Sequence, residues 1–156
     1  MRLNLFVLFV FICIIFSSCN QTPYFAKSIE LGGAWNYSNA LDYQFEIDET
    51  EANYDLILLL EYGLDYKYQN IYVKVTTTFP DGTSNEDILS LNLSNKMGIF
   101  LGDCNSSTCE IPILLKENFK FKDQGAYTIS IEQHGRIENL QSIHAAELQL
   151  FKLDKK

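Results

Sequence analysis

An all-β fold, a single antiparallel β-sandwich, is predicted by three features of the sequence. Short segments alternate apolar and polar side chains with period two, turns bearing Gly or Pro separate them, and neither a long helical pattern nor a repeat of fixed period intervenes. Roughly eight strands are expected. A jelly-roll and an immunoglobulin-like sandwich both satisfy the pattern.

Along Leu41-Asp42-Tyr43-Gln44-Phe45-Glu46-Ile47, the residues Leu41, Tyr43, Phe45 and Ile47 share one face and the acidic and amide residues share the other, which predicts a strand with one dry side. Asp55 to Tyr62 is apolar through Leu56-Ile57-Leu58-Leu59-Leu60, a run short enough to be a central strand covered on both faces. Asn70 to Phe79 sets Ile71, Val73, Val75 and Thr77 against Tyr72, Lys74, Thr76 and Thr78, and such β-branched alternation favours extended backbone. Pro80-Asp81-Gly82-Thr83 then turns the chain, because proline lacks a ladder donor and glycine accepts positive φ.

Asp87 to Leu93 opposes Ile88, Ser90 and Asn92 to Leu89, Leu91 and Leu93. Gly98 and Gly102 flank Ile99-Phe100-Leu101, read as a short strand or bulge, and Ile111 to Leu115, which contains Pro112, begins another element. Phe119 and Phe121 alternate with lysines, and Gly125 opens a strong strand over Ala126 to Gln133. Ile137, Leu140 and Ile143 recur at helical spacing, so a short helical crossover is expected over 137–143. Glu147 to Leu153 supplies the last alternating strand.

The first residues have the parts of a secretory signal: Arg2 is the basic region, and Leu3 to Phe16 is apolar but for Asn4. The stretch is shorter than the roughly 20 residues of a membrane-spanning helix, so cleavage is expected instead. Phe16-Ser17-Ser18-Cys19 resembles a bacterial lipobox, with small residues for the peptidase and a thiol to accept the diacylglycerol. The expected organisation is a lipoprotein signal peptide over 1–18, a lipidated Cys19 and tether over 19–33, and a β-sandwich domain over 34–156. Acyl chains on Cys19 would supply the membrane affinity at about 0.8 kcal/mol per buried methylene.

Removing 18 of 156 residues leaves 138, enough for one domain with a real core and too few for two. The formal charge is −8, and loss of Arg2 takes it to −9, a sign that repels nucleic acid. Of the 4 cysteines, Cys13 leaves with the signal and Cys19 is acylated, so Cys104 and Cys109 are free to close the polar loop between them as a disulfide. His134 and His144 are distant in sequence from that pair, and no metal or other cofactor is expected.

The order of segments resembles the GldH family of gliding-motility lipoproteins. The likeness spans nearly all of the mature chain. It rests on Trp35, on Tyr43-Gln44-Phe45-Glu46-Ile47-Asp48, on Ile71 to Phe79 running into Pro80-Asp81-Gly82, on Leu101-Gly102-Asp103, and above all on Phe121 to Gln133. His134-Gly135-Arg136 departs from the methionine-arginine pair usual in the family, and the closing strand lacks its glycine and arginine. The resemblance implies a membrane-anchored, non-catalytic accessory component of an envelope gliding machinery in the Bacteroidota, with other envelope motility proteins as partners. Lipoproteins sent to the cell surface in that phylum carry acidic residues just after the cysteine. Asn20-Gln21-Thr22-Pro23 has none, so the expected location is the outer membrane, facing the periplasm.

No nucleophile elbow, phosphate loop or paired-histidine metal motif occurs, and the chain is read as a non-enzyme. Glu132 and His134 share a strand face and form the one acid/base candidate, although such a pair is more often a solvated surface. Asp81, Asp103 and Asp123 read as turn residues rather than calcium ligands. Aromatic residues are plentiful, and Tyr62, Tyr66 and Tyr68 fall in one polar stretch where rings can stack on a sugar or dock a partner, or else close the end of the sandwich. They mark the candidate partner or glycan surface, and a lipid-anchored carbohydrate-binding module is the alternative function.

Overall fold

The computed structural model describes residues 22–153. The signal segment, Cys19 and residues 154–156 lie outside the described residues. Two antiparallel sheets face one another. The larger holds, in spatial order, β1 (Phe25–Glu30), β11 (Ile143–Leu153), β4 (Asn53–Gly63), β8 (Thr108–Phe119) and β7 (Asp103–Cys104). The smaller holds β3 (Leu41–Ile47), β9 (Gly125–Gln133), β5 (Asn70–Thr78) and β6 (Ser84–Asn92). β2 (Ala34–Asn36) and β10 (Asn139–Gln141) form a separate two-stranded ribbon. Among the described residues only β5–β6 and β7–β8 are sequence neighbours paired in one sheet. That connectivity differs from the immunoglobulin order, in which successive strands pair more often.

The core is where the alternation of each strand directs it. Leu41, Tyr43, Phe45 and Ile47 of β3 and Tyr127, Ile129 and Ile131 of β9 face Leu56, Leu58 and Leu60 of β4 and Leu148 and Leu150 of β11. Burying each such side chain stabilises the fold by about 1.5–3 kcal/mol. The tyrosines bring hydroxyls into this core, and each finds an acceptor. Tyr43 reaches across the layers to the carbonyl of Ala146 at 2.9 Å, Tyr54 to Glu49 at 2.8 Å and Tyr127 to Asp123 at 2.9 Å. Trp35 donates its indole proton to the carbonyl of Asn39 at 2.9 Å.

Four expectations are revised. The segment expected as tether contains β1, whose Phe25 and Ile29 pack against the core, so the sandwich begins before residue 34. The segment expected as a helical crossover is extended: Leu140 belongs to β10 and Ile143 opens β11, with Ser142 between them at a φ of 65° that no α-helix tolerates. β4 is central in its sheet, but only one of its faces is fully buried, and Asp55, Ile57, Leu59 and Glu61 on the other are half-buried. Ile111 to Leu115 is the middle of the twelve-residue β8. Pro112 is accommodated there because it pairs with Leu59 on one side while β7, on the other, reaches only to Glu110 and Cys109.

Strand register places the two poles of the sandwich. Phe25 pairs with Leu150 and Asn53 with Leu153 at one pole; Glu30 pairs with Ala145 and Tyr62 with Ile143 at the other. The strand from Leu150 back to Ile143 spans roughly 23 Å between them. Phe25, Phe45, Phe119, Phe121, Tyr54 and Tyr127 form a chain of ring contacts at the first pole. The candidate site lies at the second.

Candidate functional site

The three tyrosines singled out in the sequence separate into two roles. Tyr62 is 0% exposed, and its single hydroxyl proton is shared between the carbonyls of Leu93 and Leu101, at 2.8 and 2.6 Å. Tyr66 is 5% exposed and donates to the carbonyl of Asn70 at 3.1 Å. Burial pushes both phenols above their ordinary range, the Tyr68 hydroxyl adding to the effect at Tyr66. These two rings close the end of the sandwich. Tyr68 stacks edge-on against Tyr66 at 5.7 Å but is 44% exposed, and it stands at the rim of a cavity.

That cavity holds about 200 Å3. Its floor is Tyr66, Ile71 and Leu140, and Tyr68, Tyr72, Arg136 and Ile137 also line it. Each lining group has a structural reason for its place. Ile71 and Tyr72 are successive residues of β5 and so project to opposite sides, one buried and the other 51% exposed. Leu140 is the buried middle residue of β10. Arg136 and Ile137 come from the loop after β9, which is held by Gln133: its amide donates to the carbonyl of Ile137 at 2.7 Å and its oxygen accepts the Gly135 N–H at 2.9 Å.

A second, more polar cavity of about 490 Å3 shares Tyr68 and Ile137 with the first. Asp65, Lys67, Asn139, Gln141 and His144 line it. The two adjoin at Tyr68 and Ile137 and together make up the candidate groove. Arg136 and Lys67 enter no ion pair among the described residues. Tyr72, Arg136 and Lys67 were within reach of the sequence, since Tyr72 sits on the polar face of its strand and Arg136 in a Gly-bearing loop. Leu140 was obscured by the helical spacing.

The remaining candidates are placed elsewhere. Cys104 and Cys109 are joined as a disulfide across the β7–β8 turn, with the Cys109 end fully buried. Glu132 lies opposite Lys74 in register and forms a salt bridge with it at 3.2 Å, while His134 is exposed. Asp81 accepts from the Thr83 N–H and hydroxyl at 2.9 and 2.6 Å, which tightens the β5–β6 turn and holds its carboxyl below the usual range. No three metal-ligating side chains gather among the described residues.

Comparison with known proteins places the chain. The model of the GldH lipoprotein family matches residues 24–149. A gliding motility lipoprotein GldH homolog from Christiangramia forsetii is 28% identical over 95% of this chain and 93% of its own length. The gliding motility lipoprotein GldH of Flavobacterium johnsoniae is 23% identical over 92% of this chain and 91% of its own. Among solved structures, a family 35 carbohydrate binding module from Clostridium thermocellum is 12% identical and covers 81% of this chain and 99% of its own, but at a TM-score of 0.36 it bears on nothing further. With the match extending over most of its length, this chain belongs to the GldH lipoprotein family.

Proposed function

We propose that the protein is a lipid-anchored, non-catalytic accessory component of an envelope gliding-motility machinery, acylated on Cys19 in the outer membrane and facing the periplasm. The observation that carries this reading is the family match over 24–149, together with relatives named for gliding motility. Geometry supports it. Five residues lie between Cys19 and Phe25, where β1 begins, so the six-step tether reaches at most roughly 20 Å. An acylated Cys19 thus holds the Phe25 pole close to the bilayer and directs the groove of Tyr68, Tyr72 and Arg136 at the opposite pole away from it, toward other envelope proteins.

A second reading, a carbohydrate-binding module, is favoured by the exposed ring of Tyr68 in one cavity with the amides of Asn139 and Gln141, and by the exposed ring of Tyr72 in the adjoining one. Cross-linking of envelopes followed by purification of the acylated protein, in parallel with its Cys19→Ser form, separates the two. Motility components recovered with the acylated form alone are the expected result. Recovery of glycan without protein partners favours the second reading.

A further inference from the structure

We propose that the groove at the Tyr62 pole is a docking site for an acidic peptide segment carrying one bulky apolar side chain. The proposal rests on the reading of the chain as a component of an assembly, and it names the chemistry of the partner.

The smaller cavity is built for an apolar side chain rather than a sugar. Its volume of about 200 Å3 matches one large side chain, and its floor of Ile71, Leu140 and the Tyr66 ring has no free polar atom to offer. Most of the side-chain polar groups that line it are already engaged. The Gln133 amide is bonded on both sides, the Asn70 amide donates to the Ser90 hydroxyl at 2.7 Å, and the Tyr66 hydroxyl donates to Asn70. A sugar entering this space would give up the water on most of its hydroxyls without replacement, and an unpaired buried hydroxyl opposes binding. An apolar side chain gives up nothing and gains the burial.

Charge sets the remainder of the partner. The chain is strongly acidic at −8, yet the groove presents Arg136 and Lys67, each without an ion pair among the described residues, and only Asp65 opposes them in the lining. An unpaired guanidinium beside exposed tyrosines is the composition of an interface anchor, and it selects a carboxylate next to the buried side chain. The adjoining second cavity offers the flanking backbone polar groups at Asn139 and Gln141.

The test is selection of binders from a random-peptide phage library on the full-length acylated protein in detergent micelles. Enriched sequences are then titrated by fluorescence anisotropy against the protein, its Arg136→Glu form and its Tyr72→Ala form, with neutral and uronate oligosaccharides as competitors. Arg136 is exposed and bonded to nothing described, and unfolding curves confirm that both variants are folded. The proposal expects enriched peptides with a Phe, Leu, Ile or Met within two positions of Asp or Glu. It also expects binding to weaken at least about tenfold in Arg136→Glu. No enrichment, enrichment of basic peptides, binding indifferent to Arg136→Glu, or displacement by oligosaccharide would each overturn it. None of these results bears on whether cells need the protein to glide, which is measured separately.

Discussion

Tyr43 on β3 and Ala146 on β11 lie in different sheets, and the hydroxyl of the first donates to the carbonyl of the second at 2.9 Å within the buried core. The bond ties the two layers together at a point where neither partner has access to water. Tyr43→Phe keeps the ring and removes the donor, so it should cost about 1 kcal/mol, with about 3–5 kcal/mol for Tyr43→Ala. Urea unfolding of the three forms checks both values, and equal midpoints for wild type and Tyr43→Phe would remove the cross-layer bond from the explanation of stability.

The same burial makes stability depend on alkaline pH. Tyr43 is pushed far above the ordinary phenol range by burial and then by the Glu147 carboxylate, and Tyr54, Tyr62 and Tyr66 are raised chiefly by burial. In the unfolded chain these groups lose their protons near pH 10, while the folded chain still holds them. The unfolded state then binds fewer protons, so stability should fall as pH rises above about 10 and be little affected by these groups below it. Unfolding midpoints measured across that range, with tyrosine ionisation followed by ultraviolet absorbance, test the sign. A rise in stability there would contradict it.

Two glycines with positive φ should respond differently to alanine. At Gly82, φ 82°, an added Cβ meets nothing within 4 Å, so Gly82→Ala carries only the backbone penalty of about 1–2 kcal/mol. At Gly102, φ 90°, the Cβ would lie 2.2 Å from the carbonyl oxygen of Glu110 on β8. Gly102→Ala must displace the β7–β8 ribbon and should lower the thermal midpoint by clearly more than Gly82→Ala. Matching midpoints would show that the close approach of Gly102 to β8 has no energetic weight.

Reduction of the Cys104–Cys109 bridge releases a loop with a sequence separation of 5, which is short, so the loss should be modest, about 2 kcal/mol on the loop-entropy relation. Thermal unfolding with and without a thiol reductant measures it. Global unfolding on reduction would mean that the loop organises more of the larger sheet than its place at the edge indicates.

Glu132 is bonded to Lys74 across β9 and β5 on a partly exposed face. Glu132→Gln should change stability by less than about 1 kcal/mol and leave gliding intact. Loss of gliding in a folded Glu132→Gln protein would reopen the acid/base reading of Glu132 and His134.

The strands that carry the core were legible because their period is unambiguous: Leu41 to Ile47 and Ala126 to Gln133 alternate without interruption, and both alternate in burial. β1 was not legible. It is an edge strand from which only Phe25 and Ile29 pack against the core, and Lys27, facing their side, is exposed. The 137–143 segment misled because spacing cannot distinguish a helix face from a loop residue, Ile137, followed by Leu140 and Ile143 in two strands joined by a kink at Ser142. The groove was half legible. Tyrosines in a polar stretch pointed to the pole where the groove lies, but which ring is buried depends on Leu93, Leu101 and Asn70, whose carbonyls are brought to Tyr62 and Tyr66 by the fold.

The most direct measurement is the spreading of cells whose own copy of the gene is replaced by wild type or by Cys19→Ser, with acylation followed by metabolic labelling with a palmitate analogue. The expected result is label and spreading with wild type, and neither with Cys19→Ser even when the protein is made and folded. Full spreading by an unlabelled Cys19→Ser protein would contradict a function that depends on anchoring this domain to the membrane.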